Sequence, residues 1–240
     1  MRRLCAILMA CCLVCLRCLA IDPASVVILV NDDDHESIDL GYYYALKREV
    51  PVENIVHIPL PADEIITWDV FLDSLYNPLT SWLVEHRWLD GFTSQRKSPL
   101  GKQVTVVNGH KIGALVICRG VPLRIADDPE RLPPKENYPE EQLMFYSNRA
   151  SVDSELALIS LPKSRMDGVV INPMFHRTKP NRLFDVRPVV VGRLDGPTYA
   201  SARKMVDNAL LAEEKGISGR VYIDLRGPHQ GGDDWLSATA

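Results

Sequence analysis

Past residue 20 the chain has one cysteine, Cys118, although the whole sequence holds six. A single thiol builds no internal disulfide framework, so stability has to come from a packed core. Clustered positive charge is missing as well. The chain has 27 lysines and arginines against 31 acidic residues, a formal charge of −4, with no basic patch. Nucleic-acid binding, which draws on such patches, is not expected. There is no G-x-S-x-G, no P-loop and no G-x-G-x-x-G. The sequence signs of a nucleophile elbow, a phosphate cradle and a dinucleotide fold are therefore absent. The six histidines (His35, His57, His86, His110, His176 and His229) show no metal-ligand spacing. His176, in "NPMFHR", is the one to watch. No internal repeat is visible, and no cofactor, metal or partner is indicated.

The first twenty residues, "MRRLCAILMACCLVCLRCLA", differ from the rest. An arginine pair precedes an apolar stretch from Leu4 to Leu16, and Ala20 is a small residue at a plausible cleavage point. That is the layout of a secretory signal peptide. The stretch is shorter than the roughly 20 apolar residues of a membrane span, and Arg17 interrupts it. An uncleaved anchor is the competing reading. A lipoprotein site at Cys11 would leave almost no apolar core before it. The expectation is an exported protein (periplasmic, cell-surface or extracellular) that meets a membrane only during export. Cleavage after Ala20 removes three arginines, no acid and five cysteines. It leaves 24 basic against 31 acidic residues, a charge of −7.

Hydrophobic residues make up 46% of the chain, enough for a sizeable core. "SVVILV" (25–30) is a continuous β-branched run, as in a strand buried on both faces. A helix follows. Asp33 and Glu36 have capping-box spacing, and Ile38, Tyr42 and Leu46 recur every four residues as a helix face. Pro51 stops it, and "NIVHIPL" (54–60) reads as a second strand, giving the strand–helix–strand pattern of a parallel crossover. Residues 67–89 read as helical, with Val70, Phe71, Leu75, Leu79, Trp82 and Leu83 on one stripe. Pro78 implies a kink or two abutting helices. Residues 91–111 read as an inserted hairpin, with Asn108–Gly109 as the pair that favours a type I′ turn.

"ALVIC" (114–118) is a third buried strand. Residues 126–149, with four prolines and many charges, read as a long surface excursion. "SVDSELALI" is a short helix with Ser151 or Asp153 near its start. "RPVVVGRL" is a fourth strand, and residues 197–214 an amphipathic helix with Ala200, Met205, Ala209 and Leu210 as core positions. "RVYIDL" (220–225) is a fifth strand. The expected fold is α/β: a mostly parallel sheet of about five strands, helices on both faces and caspase- or flavodoxin-like layering, with an inserted hairpin and a long Pro-rich loop. Residues 21–240 are expected to form one domain. Because "GGDDWLSATA" opens a helix capped by Asp233 just before the chain stops, a C-terminal truncation is expected, with a second subdomain opening near residue 219.

Ligands in open parallel sheets bind at the carboxyl ends of strands, and here those ends are polar. The first is followed by Asn31, Asp32, Asp33 and Asp34. The third ends in Cys118 and Arg119, the fourth in Arg193 and Asp195, and the fifth in Asp224 and Arg226. Asp153 and Glu155 are candidates to join them. Each also has a plainer reading. Asp32 to Asp34 suit a helix cap better than a metal site, since neighbours on an extended chain point apart. Cys118 suits a buried small apolar side chain better than a nucleophile. Arg193 suits an ion pair with Asp153, Glu155 or Asp224. Asn31, Asp32, Asp33, Cys118, Arg119, Asp153, Glu155, Arg193, Asp224 and Arg226 are the candidate ligand-binding edge. No catalytic residue is assigned, and nothing decides for or against an enzyme.

"SIDLGYYYALKREVPVENIVHIPLP", "ALVICRGVPLRI", "SVDSELALI" and "VYIDLRG" together resemble an exported bacterial family of unknown function that carries only a number. The resemblance spans most of residues 25–226 and implies no activity. "VVVGRLDGPTYASARKMVDNALLAEE" is more distantly similar to gingipain-type cysteine peptidases, where such a segment closes the first α/β subdomain and the catalytic His and Cys follow in the next. That resemblance implies a dyad beyond Ala240, and neither Cys118 nor His176 matches its motifs. The sequence thus carries two functional expectations: an exported module that binds a ligand or partner at the polar edge, or the leading half of a gingipain-like peptidase or an inactive relative.

Overall fold

A computed structural model of the protein describes residues 21–98, 101–137, 140, 143, 146–161 and 187–220. The expected signal peptide, His176 and the strand expected over 220–225 lie outside the described residues, apart from Arg220. The chain divides into two compact units, Met1–Val206 and Asp207–Ala240. The described residues of the second run through the last turns of the C-terminal helix to Arg220, and Gly216 takes a left-handed φ of 76° just past the helix end. All that follows concerns the first.

Strand β1 (Val26–Asn31) is buried along its whole length, as an uninterrupted β-branched run requires. It is central in a four-stranded sheet with β2 (Ile55–Ile58), β6 (Ala114–Cys118) and β9 (Val191–Leu194), in the order β2-β1-β6-β9. Every pairing is parallel: Asn31 sits opposite Ile58, Leu29 opposite Ile117, and Cys118 opposite Leu194. Four of the five expected strands are thus among the described residues.

Alternation along the strands splits the core in two. Val27, Leu29, Leu115 and Ile117 face one way, into a cluster with Trp68, Phe71, Leu75, Leu79 and Leu83. Val26, Ile28, Val30, Val116 and Cys118 face the other, against helix α1 (His35–Arg48) and helix α5 (Tyr199–Lys215), which supply Leu40, Ala45 and Ala202. Helices therefore cover both faces.

The helix phases differ from expectation. On α1 the side turned to the sheet is Ser37, Leu40, Gly41 and Ala45, while Tyr42 is 46% and Leu46 78% exposed. Close approach selects small residues here: a Cβ at Gly41 would lie 2.4 Å from Val30 Cγ1. The N-cap is Asp34, not Asp33, and its Oδ1 accepts the Glu36 N–H at 2.9 Å. On α5 the buried positions are Ala202 and Val206, whereas Met205 is 44% exposed.

Helix α2 (Trp68–Val70) runs through a π-helical stretch, Phe71–Tyr76, into α3 (Asn77–Glu85). Pro78 sits in the first turn of α3, so the helix continues through it. The Asn77 N–H bonds the Leu72 carbonyl five residues back. This widened turn leaves room for a residue that has no N–H of its own. The stripe from Phe71 to Leu83 is buried at Phe71, Leu75, Leu79 and Leu83.

Strands β4 (Leu89–Lys97) and β5 (Gln103–His110) form the inserted hairpin. Its turn is not at Asn108–Gly109. The strands are instead closed at their other end, where Ser98 N–H bonds Lys102 O at 2.7 Å and Gly101 takes φ 83°. Asp90 pairs with Gly109 and Gly91 with Val107, so Asn108 is the extra residue of a β-bulge.

A small sheet joins β3 (Ile65–Ile66), β7 (Arg124–Ile125) and β8 (Ala150–Ser151), and α4 (Val152–Ala157) follows β8 directly. The Pro-rich excursion between β7 and β8 is pinched at its neck. Asp127 Oδ1 accepts the Ser147 hydroxyl and the Asn148 N–H, both at 2.8 Å. Asp128 N–H donates to Asn148 Oδ1 at 2.7 Å, and Asn148 Nδ2 returns a bond to Asp128 O at 2.8 Å.

Candidate functional site

In the order β2-β1-β6-β9 the chain leaves β1 toward one neighbour and later returns to the other. The carboxyl ends of β1 and β6 therefore flank a topological switch point, where connections diverge and leave a hollow. A crevice of about 380 Å³ opens there, between the N-terminus of α1 and the loops after β2 and β6.

Its floor is Asn31, 1% exposed. The side-chain Nδ2 donates to Leu60 O at 3.0 Å and Gly120 O at 2.9 Å. Oδ1 accepts the N–H groups of Leu60 at 2.9 Å and Asp33 at 3.0 Å. One amide thus ties together the ends of β1, β2 and β6. Gly120 closes the wall with φ 89°, and a Cβ there would lie 2.4 Å from Asp34 Oδ2.

The lining is acidic. Asp33, Asp63 and Glu64 are exposed on its walls, with Asp34 and Asp195 beside them. Asp34 is occupied as the helix cap, and Asp195 Oδ1 accepts the Gly196 N–H at 2.7 Å. The lining arginine, Arg119, donates from Nε to Glu36 at 3.2 Å and from Nη1 to Gly196 O at 3.4 Å. Its charge is already paired at the rim.

The other candidates fall elsewhere. Arg193 is 12% exposed and grips its surroundings. Nε reaches both Asp153 carboxylate oxygens at 3.1 and 3.0 Å, Nη1 donates to Val121 O at 2.8 Å, and Nη2 to Pro122 O at 3.0 Å. It fastens β9 to α4 and to the loop that walls the crevice. Cys118 is wholly buried beneath α1. Desolvation pushes its thiol up to about 12, partly offset by the Arg193 charge, which keeps the nucleophilic thiolate unpopulated near neutral pH. Asp32 pairs with His57 Nδ1 at 2.8 Å, outside the crevice lining.

Glu155 does not join the edge. It is buried with Lys102 at 3.0 Å, and the Lys102 ammonium also sits 4.6 Å from the Tyr76 ring centre. Burial and, secondarily, the Glu155 charge push the Tyr76 hydroxyl up to about 12. Asp224 and Arg226 lie outside the described residues.

The structure therefore brings Asn31, Asp33 and Arg119 together and separates them from Asp32, Cys118, Asp153, Glu155 and Arg193. Sequence reasoning missed Asp63, Glu64 and Gly120. The polar run after β2, "PADE", was the available signal, since a second parallel strand must also present its carboxyl end. Among the described residues no group of three His, Cys, Asp or Glu side chains is placed to hold a metal ion. No family model matches the chain, and none of the curated proteins or solved structures compared with it does either.

Proposed function

We propose that the chain is an exported ligand-binding α/β module whose site is the switch-point crevice, and that the ligand is a small molecule bearing positive charge. The observation that carries this reading is the placement of the Asp33, Asp63 and Glu64 carboxylates around a preformed hollow whose arginine is already paired with Glu36. An added cation there gains from several carboxylates at once, and fixed walls lower the ordering cost of binding. The order β2-β1-β6-β9 matches the opening of a flavodoxin-like sheet, and helices on both faces support that layering.

The gingipain-like alternative rests on the passage from β9 into α5 in the region of resemblance. It places catalysis outside the residues described here, since the thiol of Cys118 is buried and held protonated.

Thermal unfolding of the full chain with agmatine, spermidine or neutral glucose tests the proposal. The cations are expected to raise the melting temperature saturably and glucose to leave it unchanged, because binding to the folded state alone stabilises it. Asp33→Asn with Glu64→Gln should remove the effect. Equal shifts in wild type and variant, or none with either cation, would overturn it.

A further inference from the structure

A second cavity, of about 720 Å³, lies at the opposite end of the sheet, where the chain enters β6 and β9. Its described lining is residues 108–113 and 187–190. In a chain of net negative charge this lining is basic: it holds His110, Lys111 and Arg187 and no Asp or Glu.

The two full cations are rooted but not neutralised. Lys111 N–H bonds Trp88 O at 3.1 Å, and its ammonium lies 4.9 Å from the Trp88 ring centre, held by an aromatic face and not by an acid. The Arg187 carbonyl accepts the His110 Nε2–H at 2.8 Å and the Ser160 hydroxyl at 2.7 Å, which fixes the main chain from which its exposed guanidinium projects. Neither side chain forms a salt bridge within 4.0 Å among the described residues. A planar guanidinium fork and an ammonium at one opening suit an oxyanion. The rest of the lining is apolar at Ile112, Pro188, Val189 and Val190, with Ile112 and Val189 buried. A bare inorganic ion would leave most of this volume empty.

We infer that this cavity is a second ligand site, for a small organic oxyanion whose charged head meets Lys111 and Arg187 and whose apolar body lies on Pro188 and Val190. This site is independent of the acidic crevice.

Calorimetric titration of the full chain at fixed ionic strength tests it, with phenyl phosphate and benzoate as anions sharing one body and benzyl alcohol as the neutral body. Saturable binding of at least one anion and none of benzyl alcohol is expected, and the tighter anion names the head group. The double variant Lys111→Gln/Arg187→Gln changes only exposed side chains and should weaken binding by about tenfold or more, as loss of charge-assisted hydrogen bonds requires. Asp33→Asn, in the other site, should leave it unchanged. The inference fails if neither anion saturates, if benzyl alcohol binds as well as the anions, or if the double variant binds with wild-type affinity.

Discussion

Replacing Arg193 with methionine keeps an unbranched, flexible stem and removes the guanidinium with its charge and donors. It should lower stability while leaving ligand affinity at the crevice intact in the molecules that stay folded. The guanidinium is 12% exposed and donates to the Asp153 carboxylate and to two main-chain carbonyls in the 119–123 loop. Breaking a fully buried pair costs about 3–5 kcal/mol because the surviving charge is stranded. Asp153 is 31% exposed, so water re-solvates part of its carboxylate and discounts that figure. The Val121 and Pro122 carbonyls lose a charged donor, at about 1–3 kcal/mol if left unsatisfied. Together these place the loss at about 2–4 kcal/mol. For a chain of this size that is a fall in melting temperature of roughly 5–15 °C. Urea or thermal unfolding followed by circular dichroism reads it, and a double-mutant cycle with Asp153→Asn isolates the pair. If the contact is a clamp, Arg193→Met costs less in the Asp153→Asn background than in wild type, because no charge remains to be stranded. A change within about 0.5 kcal/mol, or a loss of agmatine binding at unchanged stability, would refute the reasoning.

Gly120→Ala should destabilise by about 1–3 kcal/mol, since a left-handed φ of 89° strains any L side chain and the new Cβ must displace the Asp34 cap; unfolding measurements check it, and a neutral result would deny that the turn is conformationally demanding. Cys118 should resist iodoacetamide at pH 8 in the folded protein and react only as the chain unfolds, because burial holds the thiol up to about 12; rapid labelling under native conditions would contradict this. Asp127 is held below the usual carboxylate range, chiefly by the Asn148 N–H. A depressed folded-state pKa gives stability that is present above the unfolded value and lost as pH falls through the folded one. Protease nicking of the 126–149 excursion should therefore rise as pH drops below the ordinary aspartate range. Asp127→Asn should be nicked more readily at neutral pH, read with trypsin, and should lose the acid dependence, read with pepsin against the wild type at each pH.

The strands were legible because β1 and β6 are apolar runs of strand length, and only a strand buried on both faces needs them. Helix existence was legible too; helix phase was not. Periodicity weighs hydrophobicity, and it chose Tyr42 and Leu46, whereas the sheet admits α1 through Gly41 and Ala45 because of their size. The Asn108–Gly109 pair carries a strong local turn preference, yet the hairpin closes at Gly101, and the pair serves instead as a bulge in β5. Local propensity could not rank the two, since register depends on the partner strand. The crevice was half legible. Asn31, Asp33 and Arg119 follow from strand ends, but Glu64 enters through a two-residue strand too short to have a pattern. Arg193, the most conspicuous charge, belongs to a contact whose partner lies 40 positions away.

Asn31 spends both side-chain donors and takes two N–H groups on its oxygen, so the three loops around the crevice share one anchor. Loops fastened to one point cannot open one at a time. Time is where this shows: entry into such a hollow waits on diffusion and not on a rearrangement, so the association rate of a cationic ligand should be set by long-range attraction and fall with added salt. For the ligand proposed above, residence then depends on the hold of the walls that the described residues build.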